Sequence, residues 1–117
     1  MRGFEDLRPA LLAVGSQLRA TGSRVTELAE RSMLTKATVV YLVDELETLG
    51  YVSRRPDPAD GRAKLVVPTA RALEAERAGR EAIADIRDAW AQLMGEQELA
   101  ELEAGLRRLR AALWPEL

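Results

Sequence analysis

Four cations lie close together in the tract Arg54 to Leu65, RRPDPADGRAKL: Arg54, Arg55, Arg62 and Lys64, against the two acids Asp57 and Asp60. Guanidinium groups near a turn suit contact with phosphate oxygens, or insertion where negative potential is concentrated. A second set stands at Thr35, Lys36 and Thr38, where side chains and the free N–H groups of a helix start can hold phosphate. Acid–base chemistry has less to work with. The chain has no histidine and no cysteine. That removes the commonest general base and metal ligand, and it excludes disulfides and thiol chemistry. Asp85 and Asp88 are three apart and surrounded by alternating arginines, the pattern of a solvated helix face. The inventory points to anion recognition and not to an enzyme. It calls for no cofactor and no metal.

These groups need a scaffold, and the chain supplies a readable one. Residues Thr26 to Leu46, TELAERSMLTKATVVYLVDEL, read as two short amphipathic helices joined by a tight turn. Thr26 is expected to cap the first of them and Thr35 the second. Ala29 is small enough to let the second helix cross closely, and Val39, ten positions on, pins it. The second helix, about Lys36 to Leu49, has an inner stripe of Val39, Leu42, Val43, Leu46 and Leu49. Its opposite face carries Ala37, Val40, Tyr41, Asp44 and Thr48. Gly50 stops it. Tyr51 to Arg55 and Ala63 to Val67 read as strands, with Pro56, Pro58 and Gly61 punctuating the loop between them. Helix, turn, helix and hairpin in this order make a winged helix-turn-helix. That shape puts one helix in the DNA major groove and the hairpin loop, the wing, against the minor groove.

Flanking helices complete the fold class, mainly α with a small β-hairpin wing. Upstream, Asp6 is expected to cap a first helix with Pro9 in its first turn and Leu7, Leu11, Val14 and Leu18 at helical spacing, ended by Ala20 to Ser23. Downstream, Thr69 is expected to cap a long helix reaching about Met94, with Ile83, Ile86, Trp90 and Leu93 on one side. Gly95 breaks it. A last helix carries Leu99, Leu102, Leu106, Leu109 and Leu113 at alternating steps of three and four. The two stripes are expected to form a homodimer interface, and Trp90 is read as dimer core before ligand pocket. The whole reads as one winged-helix domain over 1–117: first helix and connection at 1–23, helix-turn-helix and wing at 24–68, dimerisation helices at 69–117.

Bulk properties agree. A length of 117 residues suits one domain with a modest core, and aromatics are only 4%, so the core must be aliphatic. The net charge of −2 is unevenly spread. Residues 65–117 hold ten acids and seven bases, so the negative excess lies away from the wing tract. No signal peptide or membrane-length apolar run is present, and a cytoplasmic protein with no membrane partner is expected.

The segments TELAER, TKATVVYLVDELETLGYV and RRPDPADGRAKL, continuing more loosely into PTARAL, resemble the MarR family of winged-helix transcriptional regulators. The DPADGR tip is the most specific part. The resemblance implies a homodimer on double-stranded DNA with a near-palindromic operator, typically a repressor released by a small aromatic effector. It implies that Arg62 reaches into the minor groove, that Asp60 braces the wing and that Arg54 orders it. Together with the helix start, the expected DNA-binding set is Thr35, Lys36, Ala37, Thr38, Val40, Tyr41, Arg54, Asp60, Arg62 and Lys64. Ala37, Val40 and Tyr41 would face base edges through thymine methyl contacts and DNA shape. Asp44 shares that face and would repel phosphate. The alternative is a degenerate winged-helix protein that uses the apolar recognition face for protein contacts without specific DNA binding. Two departures from the family stand out. Met33 occupies a turn position where glycine is usual, so the turn is expected to be reshaped or strained. The family's usual helix upstream of the first is missing, so a short form is expected, with the dimer built by the C-terminal helices.

Overall fold

In a computed structural model, which describes residues 2–115, the chain runs α1 (Pro9–Gly15), α2 (Val25–Ser32), α3 (Lys36–Thr48), β1 (Val52–Asp57), β2 (Asp60–Pro68), α4 (Ala70–Met94) and α5 (Glu96–Leu113). It divides into two compact units, Met1–Ala78 and Gly79–Leu117, with the boundary inside α4. Among the described residues no helix is long and apolar enough to cross a membrane.

The first unit is the winged helix-turn-helix. Its core joins Leu11 and Val14 of α1, Leu28 of α2, Val39, Leu42, Val43 and Leu46 of α3, Tyr51, Val52 and Val66 of the hairpin, and Ala75 of α4. The inner stripe of α3 is thus buried as its spacing requires, with Leu49 packed at its edge. Ala29 and Leu34 pack against the same core from the α2 side. Each buried aliphatic side chain stabilises the fold by roughly 1.5–3 kcal/mol relative to exposure.

Two of the four expected helix caps are corrected. The residue before α1 is Arg8, and Pro9 takes the first helical position. Asp6 instead accepts hydrogen bonds from the Tyr51 hydroxyl and from Arg71. Leu18 lies beyond α1, which ends at Gly15, yet it still packs on the core. The residue before α2 is Arg24, whose N–H is taken by Glu27 at 2.9 Å, so Thr26 lies inside the helix. The carboxylate reaches back to the residue before the helix, the reciprocal half of a capping box. The other two caps are as expected. The Thr35 hydroxyl accepts from the Thr38 N–H at 3.2 Å. The Thr69 hydroxyl accepts from Ala72 at 3.4 Å and donates to the Gly50 carbonyl at 2.6 Å.

Helices α2 and α3 end alike. After α3 the Tyr51 N–H bonds back to Leu46 and the Gly50 N–H to Glu47, with Gly50 at φ 86°. After α2 the Leu34 N–H bonds to Ala29 and the Met33 N–H to Glu30, with Met33 at φ 60° and ψ 34°. Both are Schellman turns, which need a left-handed residue. The turn keeps its ordinary shape, and Met33 carries the strain. It is the only non-glycine residue at positive φ among those described.

The hairpin is tighter than the proline and glycine punctuation suggests. β1 and β2 pair antiparallel from Val52 opposite Pro68 to Asp57 opposite Asp60, leaving Pro58 and Ala59 as the turn. Pro56 and Gly61, read as loop residues, lie in the strands, and a bulge follows Pro56. Pro56 is tolerable there because a two-stranded ribbon leaves one edge unpaired. Ser23, fully buried, adds a single bridge to Val66.

The second unit is a helix pair turned at Gly95, which has φ 92°. Leu99 is buried at 2% exposure, whereas Ile83, Ile86, Trp90, Leu93, Leu102, Leu106, Leu109 and Leu113 are all about half-exposed or more. A cleft of about 290 Å³ lies between the helices, lined by Ile83, Ile86, Trp90, Leu99, Leu102 and Leu106, with Arg87 and Glu103 at its polar edge.

Candidate nucleic-acid interface

Helix α3 presents one face to the core and one outward. Thr35, Lys36, Ala37 and Thr38 are exposed at its N-terminus, where the first backbone N–H groups lack helical partners. One of these donors, that of Thr38, is occupied by Thr35. Further along, Val40 is 37% and Tyr41 67% exposed, and Asp44 is exposed beyond them. Large apolar groups normally stay covered when a core is within reach. Here their phase on α3 holds them on the outer side, because Val39, Leu42 and Val43 take the inner one.

The wing is tied to the helices by ion pairs. Arg24 at the start of α2 donates to Asp57 from Nε at 2.9 Å and Nη2 at 2.7 Å. Asp57 also accepts the Ala59 N–H at 2.9 Å, which closes the turn. That N–H, and then Arg24, hold the Asp57 carboxyl below the ordinary carboxylate range. Asp60 accepts the Arg62 N–H at 3.1 Å and so shapes the tip. Arg54 in β1 donates to both Asp44 and Glu47 of α3 at 2.6 Å.

The basic tract is thereby split. Lys36, Arg55, Arg62 and Lys64 are exposed and form no ion pair among the described residues, whereas Arg54 is engaged with two carboxylates. These four belong to the start of α3 and to the wing, and α3 also carries the exposed Ala37, Val40 and Tyr41. Two features escaped the sequence reading: the Arg24–Asp57 tie and the free state of Arg55. Arg24 gave no local signal, because its partner lies 33 residues away. Arg55 was legible only as the alternate of Arg54 along a strand.

In the helix pair, Arg87 donates to Glu103 at 2.8 Å and to Glu96 at 2.7 Å. These bonds, that to Glu96 the larger cause, raise the Arg87 pKa above its ordinary value, and the bond from Arg87 holds the Glu103 carboxyl below its own. Asp85 and Asp88 are exposed, and no group of three acids, histidines or cysteines among the described residues is placed to hold a metal. Trp90 stands at the cleft, 56% exposed. Trp114, 52% exposed, adds an aromatic group that the leucine seam did not suggest.

Residues 9–63 match the MarR family model. The "uncharacterized HTH-type transcriptional regulator YcgE" of Bacillus subtilis is 45% identical over 42 residues, which cover 36% of this chain and 27% of that relative's length. Among solved structures, the transcriptional regulator Tm0710 of Thermotoga maritima aligns at 27% identity with a TM-score of 0.71, over 92% of this chain and 77% of the other. CouR of Rhodococcus jostii, solved bound to p-coumaroyl-CoA, aligns at 27% identity with a TM-score of 0.63, over 96% of this chain and 78% of the other. The family match over residues 9–63, from the first helix into the wing, and the likeness to these solved folds agree with the geometry: over its helix-turn-helix the chain is similar to the MarR family of transcriptional regulators.

Proposed function

We propose that this protein is a cytoplasmic, sequence-specific DNA-binding regulator that represses transcription from a near-palindromic operator as a homodimer. The observation that carries the reading is the set of unpaired cations, Lys36 on α3 and Arg55, Arg62 and Lys64 on the wing, beside the Ala37, Val40 and Tyr41 that α3 exposes. Thr35, Lys36 and Thr38 at the start of α3 hold phosphate. Ala37, Val40 and Tyr41 meet base edges, where apolar groups read thymine methyls. Arg62 enters the minor groove from a tip shaped by Asp60, and Lys64 follows the backbone. Unpaired surface cations are worth more to a polyanion than paired ones, because no carboxylate must first be displaced.

The exposed stripes of the helix pair support the homodimer. Ile83, Ile86, Trp90, Leu93, Leu102, Leu106, Leu109 and Leu113 lie open. A second copy covers them, while Leu99 serves the pair itself. Release by a small aromatic effector is supported by CouR, a relative solved with p-coumaroyl-CoA, and by the apolar cleft at Trp90. The exposed Val40 and Tyr41 also favour a second reading, a protein-contact module. Selection from a random duplex library with the purified protein separates the two. A recovered consensus with two related half-sites about one helical turn, ~10 bp, apart supports the regulator. A library that stays random after repeated rounds supports the alternative.

A further inference from the structure

Arg54 differs from the three other cations of its tract. Its two terminal nitrogens each bond a carboxylate of α3, Nη1 to Glu47 and Nη2 to Asp44, both at 2.6 Å, and its side chain is only 26% exposed. Asp44 and Glu47 are three apart on α3 and both exposed, so they share one surface. Asp44 is also three residues from Tyr41, on the outward side of the helix. Two free carboxylates there would oppose a polyanion approaching the recognition face. The planar guanidinium spans both at once, which a lysine ammonium on a flexible stem does less well. Arg55, the next residue, alternates to the other side of the strand and stays unpaired. The double arginine therefore divides into one group turned toward α3 and one left for solvent or a ligand.

We propose that Arg54 is a positioning residue for DNA recognition that does not itself contact DNA. It acts by masking Asp44 and Glu47, whose charges would otherwise oppose the DNA backbone. This rests on the DNA-binding reading above. It removes Arg54 from the set of phosphate contacts and explains how a recognition helix tolerates two acids on its exposed side.

The test uses the full chain and a duplex recovered by selection with wild type. Affinity is measured against salt for wild type, for Arg54→Met, which keeps the side-chain stem, and for the triple variant Arg54→Met/Asp44→Asn/Glu47→Gln. Arg54→Gln replaces the first variant if circular dichroism shows that it does not fold. The expected result for Arg54→Met is a loss of about tenfold near 0.1 M salt that shrinks as salt rises, because repulsion by the two bared carboxylates is screened. The triple variant recovers to within about threefold of wild type. A slope that stays lowered by about 0.9 per subunit in the triple variant, where the acids are neutral, means a lost phosphate contact and overturns the proposal. So does a triple variant as weak as the single one, because a merely structural tie stays broken when the acids are neutralised. If wild type binds steeply and only the rescue fails, DNA binding stands and this inference falls. If wild type shows no salt-dependent affinity, both fall.

Discussion

Met33 and Gly50 end successive helices with the same pair of hydrogen bonds, and only one of them is glycine. A left-handed backbone costs an L-residue roughly 1–2 kcal/mol, part of which glycine gives back through the entropy of its unfolded chain. Met33 is 87% exposed, so its side chain offers little packing in return. Met33→Gly is therefore expected to stabilise the fold by up to about 1 kcal/mol. Urea denaturation checks this, and a midpoint equal to or below that of wild type contradicts it. Asp57 gives a prediction in pH. Its carboxyl is held below the ordinary range by the Ala59 N–H and Arg24, so its contribution is complete above the unfolded value near 4 and lost as pH falls through the folded value. Wild type should melt lower as the pH drops below about 4. Asp57→Asn should be less stable at neutral pH and fall less over that acid range. Some fall remains, because Glu27 and Glu103 are shifted in the same direction. Thermal melts between neutral and acid pH decide the point, and an acid fall in the variant as large as that of wild type excludes the tie.

At the scale of elements, the recognition helix and the wing make separable contributions. Arg62→Ala is expected to weaken operator binding by roughly 1–3 kcal/mol per subunit with the fold intact, since Arg62 is exposed and its side chain has no ion pair among the described residues. Lys36→Ala should weaken all duplexes almost evenly and lower the salt slope by about one per subunit, whereas Tyr41→Ala should change the preferred bases more than the slope. Titration of one duplex tests the first, and randomised-site selection with each variant tests the others. A Tyr41→Ala protein that selects the wild-type consensus at full strength would show that this face does not read bases. These elements were legible in the sequence because their periods are strong. The α3 stripe from Val39 to Leu46 repeats at helical spacing, and Gly50 marks its end. Less legible were the edges, where several polar groups compete for the same backbone donors. At α2 the helix starts one residue before Thr26, and Glu27 accepts the N–H of Arg24. Asp6 was drawn from its expected cap by Tyr51 and Arg71, 45 and 65 residues away. The basic tract could be counted, but not sorted into paired and free cations, because Asp44 and Glu47 reach Arg54 only after the hairpin folds back on α3.

The whole molecule carries more acids than bases, yet Lys36, Arg55, Arg62 and Lys64 stand unpaired on the wing and the start of α3, and association with DNA depends on that placement more than on the sum. Assembly rests on the other unit. Charged residues in place of Leu106 and Leu109, both over half exposed, should break the dimer and abolish operator binding. Light scattering should give wild type twice the chain mass of 12.9 kDa and the double variant no dimer. A wild-type mass of one chain at micromolar concentration contradicts the assembly. The central claim, that unpaired cations on the wing and recognition helix bind a DNA backbone, is tested most directly by wild-type affinity for its selected duplex as a function of salt. With Lys36, Arg55, Arg62 and Lys64 engaged in each subunit of a dimer, the logarithm of affinity should fall against the logarithm of salt with a slope of roughly −5 to −7. A slope between zero and about −1 would mean that these cations meet no phosphate, and would contradict the account.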